Sequence, residues 1–225
     1  MSTDIINTII LAASFLALFG SAEILYHKFK LKGEVTRKIV HVGTGLLTLL
    51  FPVMLSGHWW VLLLCVSFAV ILIASLLFNF LPSINNINRR SVGSLAYPVS
   101  VYTAFLFYDH YNKDKVFFYL PILVLAISDP IAALVGKKYP YKSFSIGSTR
   151  KTLSGSLACF VSAFIISFII IYTNNAAAPL VAVIFKSLLI ALAVAIAEAV
   201  SGKGYDNITI PVAVLACLVL IQKNP

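Results

Sequence analysis

At 225 residues, 60% hydrophobic and only 11% charged, the chain is too apolar for a soluble domain, in which about 25% of residues carry charge. Its mean hydropathy of +0.96 places it in a bilayer, and its length leaves no room for a separate soluble domain, so residues 1–225 read as one all-α, polytopic membrane bundle. A formal net charge of +9 fits basic loops beside anionic lipid, and no nucleic-acid partner is expected.

Eight apolar stretches follow one another, each near the ~20 residues that span hydrocarbon. They are Ile5–Leu25, Ile39–Leu55, Trp59–Leu81, Leu95–Tyr108, Val116–Val135, Leu153–Tyr172, Pro179–Val200 and Ile208–Ile221. The fourth and eighth are the weakest. The first has no basic n-region and no A-x-A cleavage site close behind it, so it reads as a retained anchor. Most of the 17 Lys and Arg residues fall in alternate connections. Lys28, Lys30, Lys32, Arg37 and Lys38 precede the second stretch, and Arg89 and Arg90 precede the fourth. Lys137, Lys138, Lys142, Arg150 and Lys151 lie between the fifth and sixth, and Lys203 precedes the eighth. The intervening connections carry only Lys113 and Lys115, offset by Asp109 and Asp114. Positive-inside bias places the basic connections in the cytoplasm and both termini outside.

Candidate chemistry gathers on that basic side. Glu34, Arg37, Lys38 and His41 stand at i, i+3, i+4 and i+7, one face of a helix. A basic membrane-edge anchor would explain the first three, but His41 carries the polar stripe into the span, as the wall of a cavity does. Asp129 sits inside the fifth stretch, where a carboxylate facing lipid costs roughly 2.5–3.5 kcal/mol, so it is expected to face a polar cavity. Pro130 beside it removes an N–H and favours a kink or an early helix end. Lys151-Thr152 opens the sixth stretch ahead of Gly155-Ser156, and a helix start with a lysine and small hydroxyl residues is a ready anion site. An ordinary basic loop is the plainer reading of Lys137, Lys138 and Lys151, and the G-x-x-x-x-G-K-[ST] frame of a P-loop is absent. Glu198 closes the seventh stretch, and Asp206-Asn207 opens the eighth. They are an interfacial carboxylate and a helix cap in the simplest view, or Mg²⁺ donors together with Asp129 and phosphate oxygens. Cys65, Cys159 and Cys217 form no C-x-x-C pair and suggest neither a disulfide framework nor zinc. The four His residues are too dispersed to argue a metal site.

Taken in order, Arg37-Lys38-x-x-His41, Ser128-Asp129-x-x-Ala132-x-x-x-Gly136, Lys151-Thr152-x-x-Gly155-Ser156 and Glu198…Asp206-Asn207-x-x-x-Pro211 resemble the polyprenol kinase family. That family includes dolichol kinase, phytol kinase and the CTP-dependent diacylglycerol kinase, and is distantly related to CDP-diacylglycerol synthase. Asn88-Arg89-Arg90-Ser91-x-Gly93-Ser94-x-x-Tyr97-Pro98 resembles the middle segment of its small bacterial members, which implies a bacterial cytoplasmic membrane with the site facing the cytoplasm. The chain departs from the family pattern twice. Ser154 stands where many relatives have Glu, and Tyr205 stands where the closing motif often has its first Asp. A small residue at the position of Ser154 is frequent in the phytol kinase branch.

The resemblance implies transfer of the γ-phosphate of CTP, with Mg²⁺, to the hydroxyl of a membrane prenyl alcohol. On that basis Lys151, Thr152, Gly155 and Ser156, with Lys137 and Lys138, are assigned to the nucleotide. Asp129 and Asp206 are assigned to Mg²⁺, joined by Glu198 and Asn207. Arg37 and Lys38 stabilise phosphate charge and His41 orients its neighbours. Asp129 is the candidate general base if it does not bind the metal. Two other readings remain open: cytidylyl transfer to phosphatidate, and a small transporter, in which broken helices with intramembrane carboxylates also occur.

Overall fold

The computed structural model describes residues 3–85, 92–146 and 149–223. Asn88-Arg89-Arg90-Ser91, the first part of the segment that resembles small bacterial members, and the Gly147-Ser148 pair lie outside the described residues. The described chain is helical apart from one hairpin. Its elements are α1 (Thr3–His27), α2 (Gly33–Thr48), α3 (Phe51–Met54), α4 (His58–Phe78), α5 (Pro82–Asn85) and α6 (Gly93–His110). Next come α7 (Val116–Leu123), a π-helical turn (Val124–Ser128) and α8 (Asp129–Lys138). The hairpin β1 (Ser143–Ile146) and β2 (Thr149–Thr152) leads into α9 (Leu153–Asn174), α10 (Leu180–Val200) and α11 (Asp206–Lys223).

All eight apolar stretches are helical, with ends shifted by a few residues. The largest shift is in α2, which begins at Gly33, so Glu34, Arg37 and Lys38 are part of the helix that carries His41. Among the described residues, six helical segments are long and apolar enough to cross a membrane. The helices of the fourth and eighth stretches, α6 and α11, fall short of that measure. Helix α6 is diluted by Tyr97, Tyr102, Tyr108 and Asp109. Helix α4 stops at Asn79, which takes the left-handed conformation (φ 54°) that commonly ends helices.

Burial identifies the centre of the bundle. In the most apolar window of Val116–Lys138, 56% of residues are buried, against 22–33% in the other five spans. The helix carrying Asp129 is therefore the central one, packed by α2, α9 and α11. Phe118, Leu120, Ile122 and Leu125 are fully enclosed there. The outer faces are apolar instead: Leu157, Val161, Ile165 and Ile169 form an exposed stripe on α9, and Val181, Phe185, Leu192 and Ile196 line α10. In water such faces would be an association surface; on an integral membrane protein they meet lipid.

The hairpin was not expected from the sequence, in which residues 137–151 read as a hydroxyl-rich basic loop. Its strands pair antiparallel, with Phe144 opposite Lys151 and Ile146 opposite Thr149. This pairing delivers Lys151 and Thr152 in an extended conformation to the start of α9.

Candidate active site

Four pieces of chain converge at one end of the bundle: the first turns of α2, the length of α8, β2 with the start of α9, and the turn joining α10 to α11. They enclose a polar cavity of about 550 Å³. Six basic residues (Arg37, Lys38, Lys137, Arg150, Lys151, Lys203) and four acidic ones (Glu34, Asp129, Glu198, Asp206) line it. Lining of both signs, with basic residues in excess, suits a polyanion accompanied by a cation.

The wall carrying Asp129 is shaped by Pro130. Proline has no N–H to return to the preceding turn, and the helix widens to a π turn immediately before it. The Leu125 carbonyl lies 3.1 Å from His41 Nε2. A carbonyl only accepts, so Nε2 carries the proton and Nδ1 is the ring's open position. The same Nε2 is 3.9 Å from an Asp129 carboxylate oxygen, and Tyr97 packs edge-on against the ring at 5.0 Å between centroids. His41 is thus clamped between α6 and the central helix, beside the carboxylate. At the rim, Lys137 reaches Glu34 at 3.3 Å. Both are well exposed, so this pair is worth at most about 1 kcal/mol.

The opposite wall is the start of α9. Thr152 caps that helix, accepting from the Gly155 N–H at 3.1 Å. Lys151 Nζ meets Glu198 Oε1 at 2.5 Å, and Ser156 Oγ donates to Glu198 Oε2 at 3.3 Å. Both oxygens of Glu198 are therefore engaged by α9 and β2, which holds the lysine at the cavity wall. Helices α8 and α9 cross closely here. A Cβ on Gly136 would sit 2.6 Å from Thr152 Oγ1, and one on Gly155 would sit 2.9 Å from the Ala132 carbonyl oxygen. Gly136→Ala should accordingly displace the capping hydroxyl and lower stability by about 1 kcal/mol, the usual loss for a cap. The check is the thermal midpoint in detergent. Gly20→Ala, whose added Cβ meets nothing within 4 Å, should not lower it.

The third wall is the α10–α11 turn, where Lys203 (φ 55°) and Gly204 (φ 90°) take left-handed conformations. The Lys203 carbonyl accepts from the Val92 N–H at 2.9 Å. Asp206 begins α11 and accepts from the Asn207 N–H at 3.1 Å. Asn207 Nδ2 donates to the Gly93 carbonyl at 2.6 Å, and Ser100 donates to the Asn207 carbonyl, binding α11 to α6. Asn207 Oδ1 is then the atom this side chain has for a cation.

Of the residues expected from sequence, Arg37, Lys38, His41, Asp129, Lys137, Lys151, Thr152, Gly155, Glu198, Asp206 and Asn207 all line this one cavity. Two do not. Lys138 is exposed, with its ammonium 5.2 Å from the Tyr139 ring centroid, and Ser156 stands behind the wall on Glu198. Thr149, Arg150 and Lys203 line the cavity without having been singled out. Alternation along a strand puts Thr149 on the face of Lys151, but that signal exists only once the hairpin is known. Among the described residues, no three His, Cys, Asp or Glu side chains converge to hold a metal by themselves.

Comparison with known proteins gives this geometry a context. The chain is 32% identical over 204 residues to a phytol kinase of Synechocystis sp., covering 89% of this chain and 85% of that protein. The chain belongs to the polyprenol/phytol kinase family. No family model and no solved structure matches it. In this family member, the four motifs that carry the resemblance meet at one end of the bundle.

Proposed function

We propose that the protein transfers the γ-phosphoryl group of CTP to the hydroxyl of a prenyl alcohol such as phytol, geranylgeraniol or a polyprenol. The observation that carries the reading is the single cavity in which Asp129 and Asp206 face Lys151 and the start of α9, in a chain similar to a phytol kinase. Its volume lies within the 300–1,000 Å³ usual for small-molecule sites. Phosphoryl transfer requires alignment and charge neutralisation more than covalent protein chemistry. Lys151, held by Glu198 at the positive end of α9, binds the polyphosphate. Arg37, Lys38, Arg150 and Lys203 add positive charge around it. Mg²⁺ is commonly held by one or two carboxylates plus substrate phosphates, and Asp206 with Asn207 Oδ1 fits that donor set without a third protein carboxylate. The ion would neutralise charge on the phosphates. Asp129, next to His41, accepts the proton of the lipid hydroxyl as its oxygen attacks the γ-phosphorus. The bond from that phosphorus to the bridging oxygen breaks, and CDP leaves.

Position of the label decides the reaction. With γ-labelled CTP and geranylgeraniol, an organic-extractable monophosphate should carry the label, and α-labelled CTP should leave the lipid unlabelled. Lipid labelled only from α-CTP with phosphatidate would make the protein a cytidylyltransferase. No transfer from either label would favour a transporter.

The same reading sets an orientation, with the cavity in the cytoplasm. In a background lacking Cys65, Cys159 and Cys217, single cysteines at Lys32, Ser145 and Lys203 should label from the cytoplasmic side. Cysteines at Gly57, Asn112 and Asn175 should label from outside. An outside label at Ser145 or Lys203 would turn the cavity away from the cytosolic nucleotide.

A further inference from the structure

A second cavity opens off the polar one. It is an apolar slot of about 90 Å³, and it shares Arg37, His41 and Asn207 with the polar cavity. From that mouth it runs along α2 past Thr44 to Thr48, between α1, α4 and α6. His41, Thr44 and Thr48 lie at i, i+3 and i+7, so the charged stripe at the start of α2 continues inward as a stripe of small side chains. Each step is about one helical turn, ~5 Å. The other walls are aromatic, with Phe15 and Phe68 ring centroids 4.7 Å apart and Phe15 and Phe51 centroids 6.0 Å apart.

From this continuity we infer that the slot seats the hydroxyl-proximal end of the acceptor chain, an inference that rests on the prenyl-alcohol reading above. The hydroxyl lies at the mouth, beside His41 and Asp129, and the first isoprene unit lies below it, beside Thr44. An apolar cavity of roughly 150 Å³ takes up a benzene-sized hydrocarbon. The slot at about 90 Å³, three-fifths of that volume, therefore holds about the first three or four carbons of the chain without rearrangement, and the remaining chain passes on toward lipid. Size and polarity together set the acceptor class. A primary alcohol on a single narrow hydrocarbon chain fits. Diacylglycerol carries an ester on the carbon next to its carbinol carbon, a branch for which a slot of about 90 Å³ walled by Phe15, Phe68 and Val101 has no room beside the main chain.

Two measurements test the slot. The first is photolabelling of the wild-type protein with a prenyl alcohol bearing a diazirine on its first isoprene unit. Adducts should map to the α1, α4 and α6 segments around Phe15, Phe68 and Val101; adducts confined to the lipid-facing stripes of α9 and α10 would overturn the inference. The second is Thr44→Phe, which narrows the slot one turn below His41. KM for geranylgeraniol should rise at least tenfold while CTP affinity, read by calorimetric titration, stays within twofold. An unchanged KM in a folded variant would overturn the inference, and if the variant does not fold, the photolabel map decides. The outcomes also separate the two readings. Label in the slot without any phosphorylated alcohol would defeat the kinase reading alone, whereas phosphorylated alcohol with label only on the outer faces would defeat the slot alone.

Discussion

Asp129→Asn should lower phosphoryl transfer by at least a hundredfold while the protein remains inserted and folded. General-base catalysis contributes typically 10²–10⁴-fold, and an amide cannot take the proton of the attacking hydroxyl. Removing a charge from a membrane helix also lowers its insertion cost, so poor folding is not the expected cause of lost activity. Asn preserves the shape beside His41, 3.9 Å away, and leaves the His41 contact with the Leu125 carbonyl in place. If Asp129 takes the proton and Asp206 holds the metal, the two residues have separable signatures. In Asp129→Asn the residual rate should saturate at the wild-type Mg²⁺ concentration. In Asp206→Asn the Mg²⁺ requirement should rise at least tenfold. A raised Mg²⁺ requirement in the Asp129 variant would place that residue in the metal's shell and leave the proton without an acceptor. Retention of more than about a tenth of normal activity would remove Asp129 from the chemistry, since such contacts are usually worth far more.

Why some of this was readable from sequence follows from the kind of signal each residue leaves. The α2 stripe is a local pattern with the helical period, so spacing alone puts Glu34, Arg37, Lys38 and His41 on one face. Asp129 stands out because a bilayer penalises it. The hairpin left no such mark: two four-residue strands with Ser-Phe-Ser-Ile and Thr-Arg-Lys-Thr are too short for alternation to outweigh a loop composition. Long-range pairings are equally silent. Glu198 and Lys151 are 47 residues apart, and counting carboxylates at one membrane face grouped Glu198 with the metal donors. In the fold Lys151 and Ser156 bond its two oxygens, a pairing that spacing could not show. The close crossing of α8 and α9 at Gly136 and Gly155 needs both helices in place before either glycine has a reason. The apolar slot is less legible still, because its walls use the same Phe, Val and Cys that fill the core elsewhere.

The pair between Lys151 and Glu198 yields an expectation in which stability and activity part company. Their side chains are 14% and 6% exposed, so each depends largely on the other for compensation. Removing one partner of a buried pair leaves an uncompensated charge and costs about 3–5 kcal/mol, whereas replacing both by apolar residues of similar volume is often neutral or stabilising. Lys151→Met and Glu198→Met should therefore each lower the unfolding midpoint in detergent, and the double substitution should recover most of the loss. Activity should not follow. If Lys151 contacts the polyphosphate, Lys151→Met and the double variant should both transfer at least a hundredfold more slowly, with weakened CTP binding. Lys142→Met, which removes an exposed lysine of the same connection outside the cavity, should change neither quantity. A double variant that regained transfer along with stability would make the pair a structural clamp and leave the start of α9 to bind the nucleotide through its backbone. One that regained stability but not transfer would assign Lys151 to the nucleotide and Glu198 to holding it there.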